Sequence, residues 1–318
     1  MKNMNTPKNS SLENESNQIT INTIATLIIV LLPILGAIVG IKLTLDSQVS
    51  LIDIGMLGIM YFLTMIGFDV GCHRYFAHHA FQTTTAVKSL LAILGLMSSQ
   101  GGLLYWSVGH PLHHKLSDQP GDVQSPNLEG NDFWGKLKGL YNAQVGWVFK
   151  IANDGNDPEN IVKFEKAIKD PLILKINELQ LVWIILGLII PATLEGLITM
   201  SWMGVFKGFI WGGLVRLFLV QQFAGTISSV CHMFGDRPYK TNDYSTNNFW
   251  LAIPTLGGSW HNNHHAFPNS AYCGLEWWQI DISNWVIWIL EKTGLIWDVK
   301  KPTPSMIKAR KLQNSSTN

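Results

Sequence analysis

The sequence predicts an all-α integral membrane protein: four transmembrane helices carrying a helical cap on the cytoplasmic side. Three observations point there. The 318 residues are 47% hydrophobic and only 14% charged, whereas soluble domains carry roughly a quarter charged residues. Four apolar runs reach the ~20 residues that a helix needs to cross a bilayer. The 13 tryptophans suit a chain that sits at membrane–water interfaces. A net charge of +1 gives no basic bias toward nucleic acid. The three cysteines, Cys72, Cys231 and Cys273, form no CxxC pair, so neither a disulfide framework nor a thiolate metal site is indicated.

Residues 1–18 are polar, rich in Asn and Ser, and read as a disordered tail. They lack a cleavage-site pattern and do not read as a signal peptide. The membrane domain is expected over 19–305, with spans at about 21–42, 51–72, 179–200 and 204–230, and a C-terminal tail over 306–318. The first span, "INTIATLIIVLLPILGAIVGI", holds Pro33, which predicts a kink. The short linker "LTLDSQVS" predicts that the second span runs antiparallel to the first. That span, "LIDIGMLGIMYFLTMIGFDVG", has Asp53 and Asp69 near its ends and continues into a histidine cluster. Residues 86–106 are apolar but broken by Ser, Gln and Gly, so hydropathy leaves open whether they cross or lie at the interface. The stretch 110–175 is polar and belongs in water. Beyond the fourth span, the amphipathic "LEWWQIDISNWVIWILEKTGL" is expected to rest on the membrane or on the domain.

Lys and Arg set the orientation. The loops 46–50 and 192–203 contain neither, whereas the segments after the second and fourth spans are rich in both. The positive-inside rule therefore places the polar segments and both termini in the cytoplasm. All ten histidines then fall on one side of the membrane, as they must if they are to converge.

The histidines cluster as His73, His78 and His79; His110, His113 and His114; and His261, His264 and His265, with His232 alone. Helical residues three and four apart share a face. The second and third clusters have that spacing. His73 and His78 are five apart, a splayed pair. Imidazole is the commonest biological metal ligand and suits Fe, Zn, Cu or Ni. One zinc takes three or four ligands, so nine or ten histidines imply two ions in nitrogen-rich sites. Such sites beside a bilayer favour dioxygen chemistry over hydrolysis. Neither an HExxH helix nor a GxSxG elbow is present. A lone histidine such as His232 is by itself the mark of a packed core residue; three triplets are not. Metal transporters place their ligands within spans, and these clusters lie just outside them.

The boxes "HRYFAHH" (73–79), "HPLHH" (110–114) and "HNNHH" (261–265) resemble those of membrane fatty-acyl desaturases of the stearoyl-CoA desaturase type. "KLSDQPGDVQSP", "QVGWVF", "CHMFGDRPY" and "HAFPNSAYCGLEWWQID" are similar to family segments, and the likeness runs from about 55 to 300. The resemblance implies a histidine-coordinated di-iron centre (Fe2+/Fe3+) in the cap. Its ligands would be His73, His78, His110, His113, His114, His232, His261, His264 and His265. His79 need not be a ligand. The implied reaction is O2-dependent removal of two hydrogens from a fatty acyl chain, giving a cis double bond, usually next to the ninth carbon. The implied partners are the acyl substrate, membrane lipids and a separate electron donor, a ferredoxin or b-type cytochrome with its reductase. No CxxxxCxxC pattern provides a fused iron–sulfur carrier. The same scaffold can support a lipid-chain hydroxylase, and a non-catalytic metal-binding or transport protein is the remaining alternative.

Several positions depart from the family pattern. Where well-known members carry an Asn four residues before the lone histidine, this chain has Ser228, which would need a water to bridge to a metal. The turn before the third box is "GGSW", without the Glu of many relatives, and Gln144 replaces a His. Basic residues that touch the CoA head group in some members are absent from "SVGHPLHH". CoA, a lipid and a carrier protein therefore all remain open as the head group. Cys72 and Cys231 are expected to pack behind the ligands that they precede.

Overall fold

The computed structural model describes residues 8–154 and 168–312, with side chains described for 23–150 and 168–312. Among the described residues it is almost entirely helical. Four helices are long and apolar enough to cross a membrane: Thr23–Leu45, Leu51–Ala77, Gln180–Thr199 and Trp202–His232. Each overlaps one of the expected spans.

Helix α1 (Lys8–Leu45) begins well before the bilayer. It takes in residues 8–18, which composition assigns to a disordered tail; residues 1–7 lie outside the described residues. The apolar span supplies the costly helical nucleus, and propagation back through a polar stretch then adds one bond per residue fixed. Helix α2 (Leu51–Ile66) starts with a capping box: Ser50 accepts from the Asp53 amide, and Asp53 accepts from the Ser50 amide at 2.6 Å. The Asp at this end of the span is thus a cap. The helix then runs on as a π-helix over Gly67–Ala77.

Helix α3 (Thr85–Met97) packs against that π-helix so closely that a Cβ on Gly67 would lie 2.3 Å from the Gly95 amide nitrogen. Ser99 and Gly101, both with positive φ, turn the chain into α4 (Leu103–Leu116). The stretch 86–106 therefore forms a corner of two short helices and does not cross. The buried carbonyl at the end of α3 is satisfied from the fourth span. Arg216, fully buried, donates to Met97 O at 2.7 Å and to Gly187 O at 2.6 Å. Irregular backbone within a membrane protein requires such a partner.

The cap continues with α5 (Phe133–Tyr141) and α6 (Trp147–Asp154), joined by a π-helical turn. Helix α7 (Pro171–Glu178) leads into the third span, α8 (Gln180–Thr199). The fourth span is α9 (Trp202–Gly208), a π-helical stretch to Val215, and α10 (Arg216–Ser228). Ile28, Leu35, Ile59 and Leu197 stand exposed on the spans, as lipid-facing residues do. The main core joins Phe68, Leu91, Leu96, Trp106 and Val220 beneath the histidine clusters.

After a 3-10 turn at Val230–His232 come α11 (His261–Ala266), α12 (Ile282–Lys292) and α13 (Pro304–Arg310). Helix α12 buries Ile287 and leaves Trp285, Trp288 and Ile289 exposed. Two short strands, β1 (Gln82–Thr83) and β2 (Ile296–Trp297), pair antiparallel. The expected C-terminal tail is folded onto the cap as far as it is described. The Lys240 amide bonds Arg310 O and the Leu312 amide bonds Pro238 O. Residues 313–318 lie outside the described residues.

Candidate metal centre

The π-helix changes the geometry of the first box. Its bonds run from i to i+5, and the His78 amide donates to His73 O at 3.2 Å. Residues five apart therefore lie one turn apart on one face. The rings of His73 and His78 are 5.0 Å apart. The splayed pair expected from α-helical spacing is corrected: both imidazoles turn to the same point. His79 follows with φ +49°, is exposed and stands outside both groups described below.

Helix α4 divides its triplet. His110 and His114, four apart, face the first box, with His78 and His114 rings 4.7 Å apart. His113 points toward His232 and His265, at ring distances of 5.4 and 5.5 Å. Helix α11 divides likewise. His264 joins the first box; His261 and His265, four apart, face His232. The result is two groups, His73, His78, His110, His114 and His264, and His113, His232, His261 and His265, in each of which the candidate ligand atoms lie within 4.8 Å of one another.

A six-residue helix is too short to hold itself, and the two asparagines of "HNNHH" hold α11. Asn262 accepts from the Tyr239 amide at 2.9 Å. Asn263 donates to Cys273 O at 2.8 Å and accepts from Asn247 at 2.6 Å.

Four histidines are oriented by aspartates through Nδ1: His73 by Asp69 (3.0 Å), His113 by Asp122 (2.9 Å), His232 by Asp118 (2.8 Å) and His265 by Asp243 (2.8 Å). An ionised carboxylate only accepts, so each Nδ1 carries the proton and each Nε2 presents a lone pair. Two of those Nε2 atoms face other imidazole nitrogens: His73 to His264 at 2.9 Å and His232 to His261 at 3.0 Å. The Nε2 of His264 also meets that of His114 at 2.9 Å, and His114 meets His110 at 3.0 Å. Two nitrogens about 2.1 Å from one ion and at right angles around it would be about 3.0 Å apart. The Nε2 atoms of His78 and His265 are buried without any hydrogen-bond partner. Crowded, unpartnered lone pairs fit a cation between them; carboxylate-backed imidazoles are the usual setting of a metal ligand.

Charge states agree with that fit. Burial, then the neighbouring histidines, holds His78, His110, His114, His261 and His264 well below the ordinary value of 6.5. His265 is brought down to about 4 by burial, against the pull of Asp243. Burial alone would raise Asp118, Asp122 and Asp243, but the hydrogen bonds from His232, His113 and His265 hold all three below the usual carboxylate range. Neutral imidazoles and ionised carboxylates are the form that takes up metal.

Of the eleven positions singled out in the sequence, nine are brought together; His79 and Ser228 are not. Ser228 lines a cavity of about 490 Å³ with Ile34, Gln100, Trp106, Gln144 and Phe218. The Trp106 ring, one wall of the cavity, packs 5.2 Å from His110 of the five-histidine group. It is Ser229, the neighbour of Ser228, that donates to Gln144, at 2.7 Å. Cys72 and Cys231 are buried, as expected. The sequence reading missed the four aspartates as orienting groups. Asp69 carried a signal, standing four residues before His73 on one helix. Asp118 and Asp122 sit in the quoted "KLSDQPGD" loop, but Asp243 carried none.

A family model for fatty acid desaturases matches residues 54–292. The chain belongs to the fatty acid desaturase family. Among relatives of this desaturase, the hex-5-enoyl-[acyl-carrier protein] acetylenase of Moorena producens is 47% identical over 283 residues, 88% of this chain and 87% of that protein. The sn-1 stearoyl-lipid 9-desaturase of Synechocystis sp. is 34% identical over 253 residues, 78% of this chain and 72% of that protein. The delta-9 acyl-lipid desaturase 1 of Arabidopsis thaliana is 33% identical over 250 residues, 78% and 75%. This desaturase is therefore an oxidoreductase acting on fatty acyl chains, with histidine clusters able to hold metal.

Proposed function

We propose that the two histidine groups hold two iron ions and that the centre removes two hydrogens from a fatty acyl chain presented on a carrier protein. His73, His78, His110, His114 and His264 would bind one ion, and His113, His232, His261 and His265 the other. Ser228 would complete the four-histidine position through a water. The observation that carries the reading is the convergence of imidazole Nε2 atoms 2.9–3.0 Å apart, with His73 and His232 backed by aspartates. When bound, the irons supply dioxygen activation strong enough to break an unactivated C–H bond.

The chain's own residues do the rest. The aspartates fix the tautomers of His73, His113, His232 and His265, and burial favours the neutral form of His78, His110, His114, His261, His264 and His265. The cavity beside Trp106 positions the acyl chain at one face of the centre and keeps bulk water away. Removing two hydrogens from a C–C single bond gives a cis alkene; removing two from an alkene gives an alkyne. Electrons come from a separate ferredoxin or b-type cytochrome with its reductase. The orientation is the one set by Lys and Arg, with the centre and both termini cytoplasmic.

Two observations support the carrier head group. The second box lacks the basic residues that would hold CoA, and the Moorena relative's name puts its acyl chain on a carrier protein. Insertion next to the ninth carbon of a lipid-linked chain is the second reading, favoured by the names of the Synechocystis and Arabidopsis relatives. The test is the iron-loaded protein with O2, a reducing system and matched carrier-, lipid- and CoA-linked chains, read by mass spectrometry. A carrier-linked product two hydrogens lighter is expected. A product only on lipid chains moves the head group to lipid, an added oxygen makes the protein a hydroxylase, and unchanged chains on all three overturn the reading.

A further inference from the structure

The aspartates are unevenly shared. Three of the four histidines in one group are backed by a carboxylate, His113 by Asp122, His232 by Asp118 and His265 by Asp243. In the five-histidine group, among the described residues, only His73 has one, Asp69. Asp69 is also compensated: Arg74, fully buried, bonds it at 2.8 Å and bonds Asp281 at 3.0 Å. Among the described residues, no Lys or Arg side chain forms an ion pair with Asp118, Asp122 or Asp243. The other partners of these carboxylates are neutral donors: Ser125, Asn127 and the Tyr244 amide on Asp118; the Asp118 and Gln124 amides on Asp122; Thr241 and the Ser245 amide and hydroxyl on Asp243, whose backbone carbonyl rather than its carboxylate accepts from Arg237.

We propose that the two metal positions are electronically unequal and that Asp118, Asp122 and Asp243 make the four-histidine position the one that favours the higher-charged ion. The inference rests on the di-iron reading above. Three carboxylates balance a 3+ ion on that side. On the other side Asp69, Asp281 and Arg74 together supply a single negative charge. A carboxylate on Nδ1–H makes the imidazole a stronger donor, and losing one typically costs 10–100-fold in affinity. Negative charge at a fixed distance stabilises Fe3+ over Fe2+, so the four-histidine ion is reduced second, each ion taking one electron from an external one-electron donor.

The test is an anaerobic redox titration of the protein loaded with 57Fe, followed by Mössbauer spectroscopy, which counts Fe2+ and Fe3+ without turnover. Two one-electron steps are expected. Asp118→Asn, Asp122→Asn and Asp243→Asn keep one acceptor oxygen for the imidazole and remove the charge, at the cost of the acceptor that the second oxygen gives to neighbouring donors. Each should raise the lower potential; a tenfold loss of Fe3+ preference is about 59 mV for one electron. Asp69→Asn should move the higher step instead. Loss of one iron in the three variants, with the survivor keeping the parent's higher potential, also supports the inference. It is overturned if the parent's ions are reduced together, or if the three variants leave the lower step in place or move the higher one. A parent that binds no iron overturns the di-iron reading instead.

Discussion

Replacing Arg74 with leucine tests how the first box is held. Arg74 is wholly buried and donates to Asp69 (2.8 Å), to both oxygens of Asp281 (3.0 and 3.3 Å) and to Ala271 O (2.7 Å). Asp69 orients His73, and Asp281 accepts the Cys273, Gly274 and Asn284 amides. One guanidinium therefore ties the π-helix to the loop after the third box. Arg74→Leu leaves two buried carboxylates facing each other without a cation, and removing one partner of a buried ion pair costs about 3–5 kcal/mol. At roughly 2–4 °C per kcal/mol for a chain of this size, the unfolding midpoint should fall by about 6–20 °C. The assay is thermal unfolding in detergent beside iron content, with Arg74→Leu/Asp281→Asn expected to recover part of the loss by removing one stranded charge. A single variant that unfolds within about 2 °C of the parent, below the cost of one ordinary destabilising change, would refute the reasoning.

The remaining predictions concern the centre. His264→Ala should lower iron from two ions to one per chain and abolish turnover, because its Nε2 meets both His73 and His114; metal analysis showing two ions would remove it as a ligand. His78→Ala should lose iron and activity, whereas His79→Ala, altering an exposed side chain outside both groups, should keep both within about twofold, since surface changes rarely exceed ±0.5 kcal/mol. Ser228→Ala should weaken iron binding at the four-histidine position by about tenfold, the lower end for a supporting partner, and an unchanged binding isotherm would leave it only a cavity wall. In the metal-free protein, His265 lies near 4 when folded against an ordinary 6.5. The unfolded chain thus takes up protons first, and stability should fall as pH drops from about 6.5 to 4 and stay flat just above that window. Denaturant titrations giving the opposite slope would contradict the buried, neutral imidazoles.

Much of this molecule was legible from the chain. Four spans follow from apolar runs such as Ile21–Ile41, because a bilayer demands about 20 such residues whatever surrounds them. Two features were not legible. Spacing alone made His73 and His78 a splayed pair, since the period of a π-helix leaves no mark in the residue pattern. Hydropathy left open whether the stretch 86–106 crosses or lies at the interface. Its turn at Ser99–Gly101 is tolerable only because Arg216, more than a hundred residues away, satisfies the Met97 carbonyl.

By itself the sequence determined the membrane class and the number of spans, because hydropathy is a local property; the set of nine histidines, with His232 in it and His79 outside, followed from the resemblance to the desaturases. Only the tertiary structure decided how those histidines divide. His113 parts from His110 and His114, and His264 from His261 and His265, because each helix is wedged between two groups and offers a different side to each. Two of the aspartates that orient them arrive from separate segments of the chain. Asp243 meets His265 across 22 residues and Asp118 meets His232 across 114. No local pattern encodes such a meeting; it exists once the cap has folded over the ends of the spans.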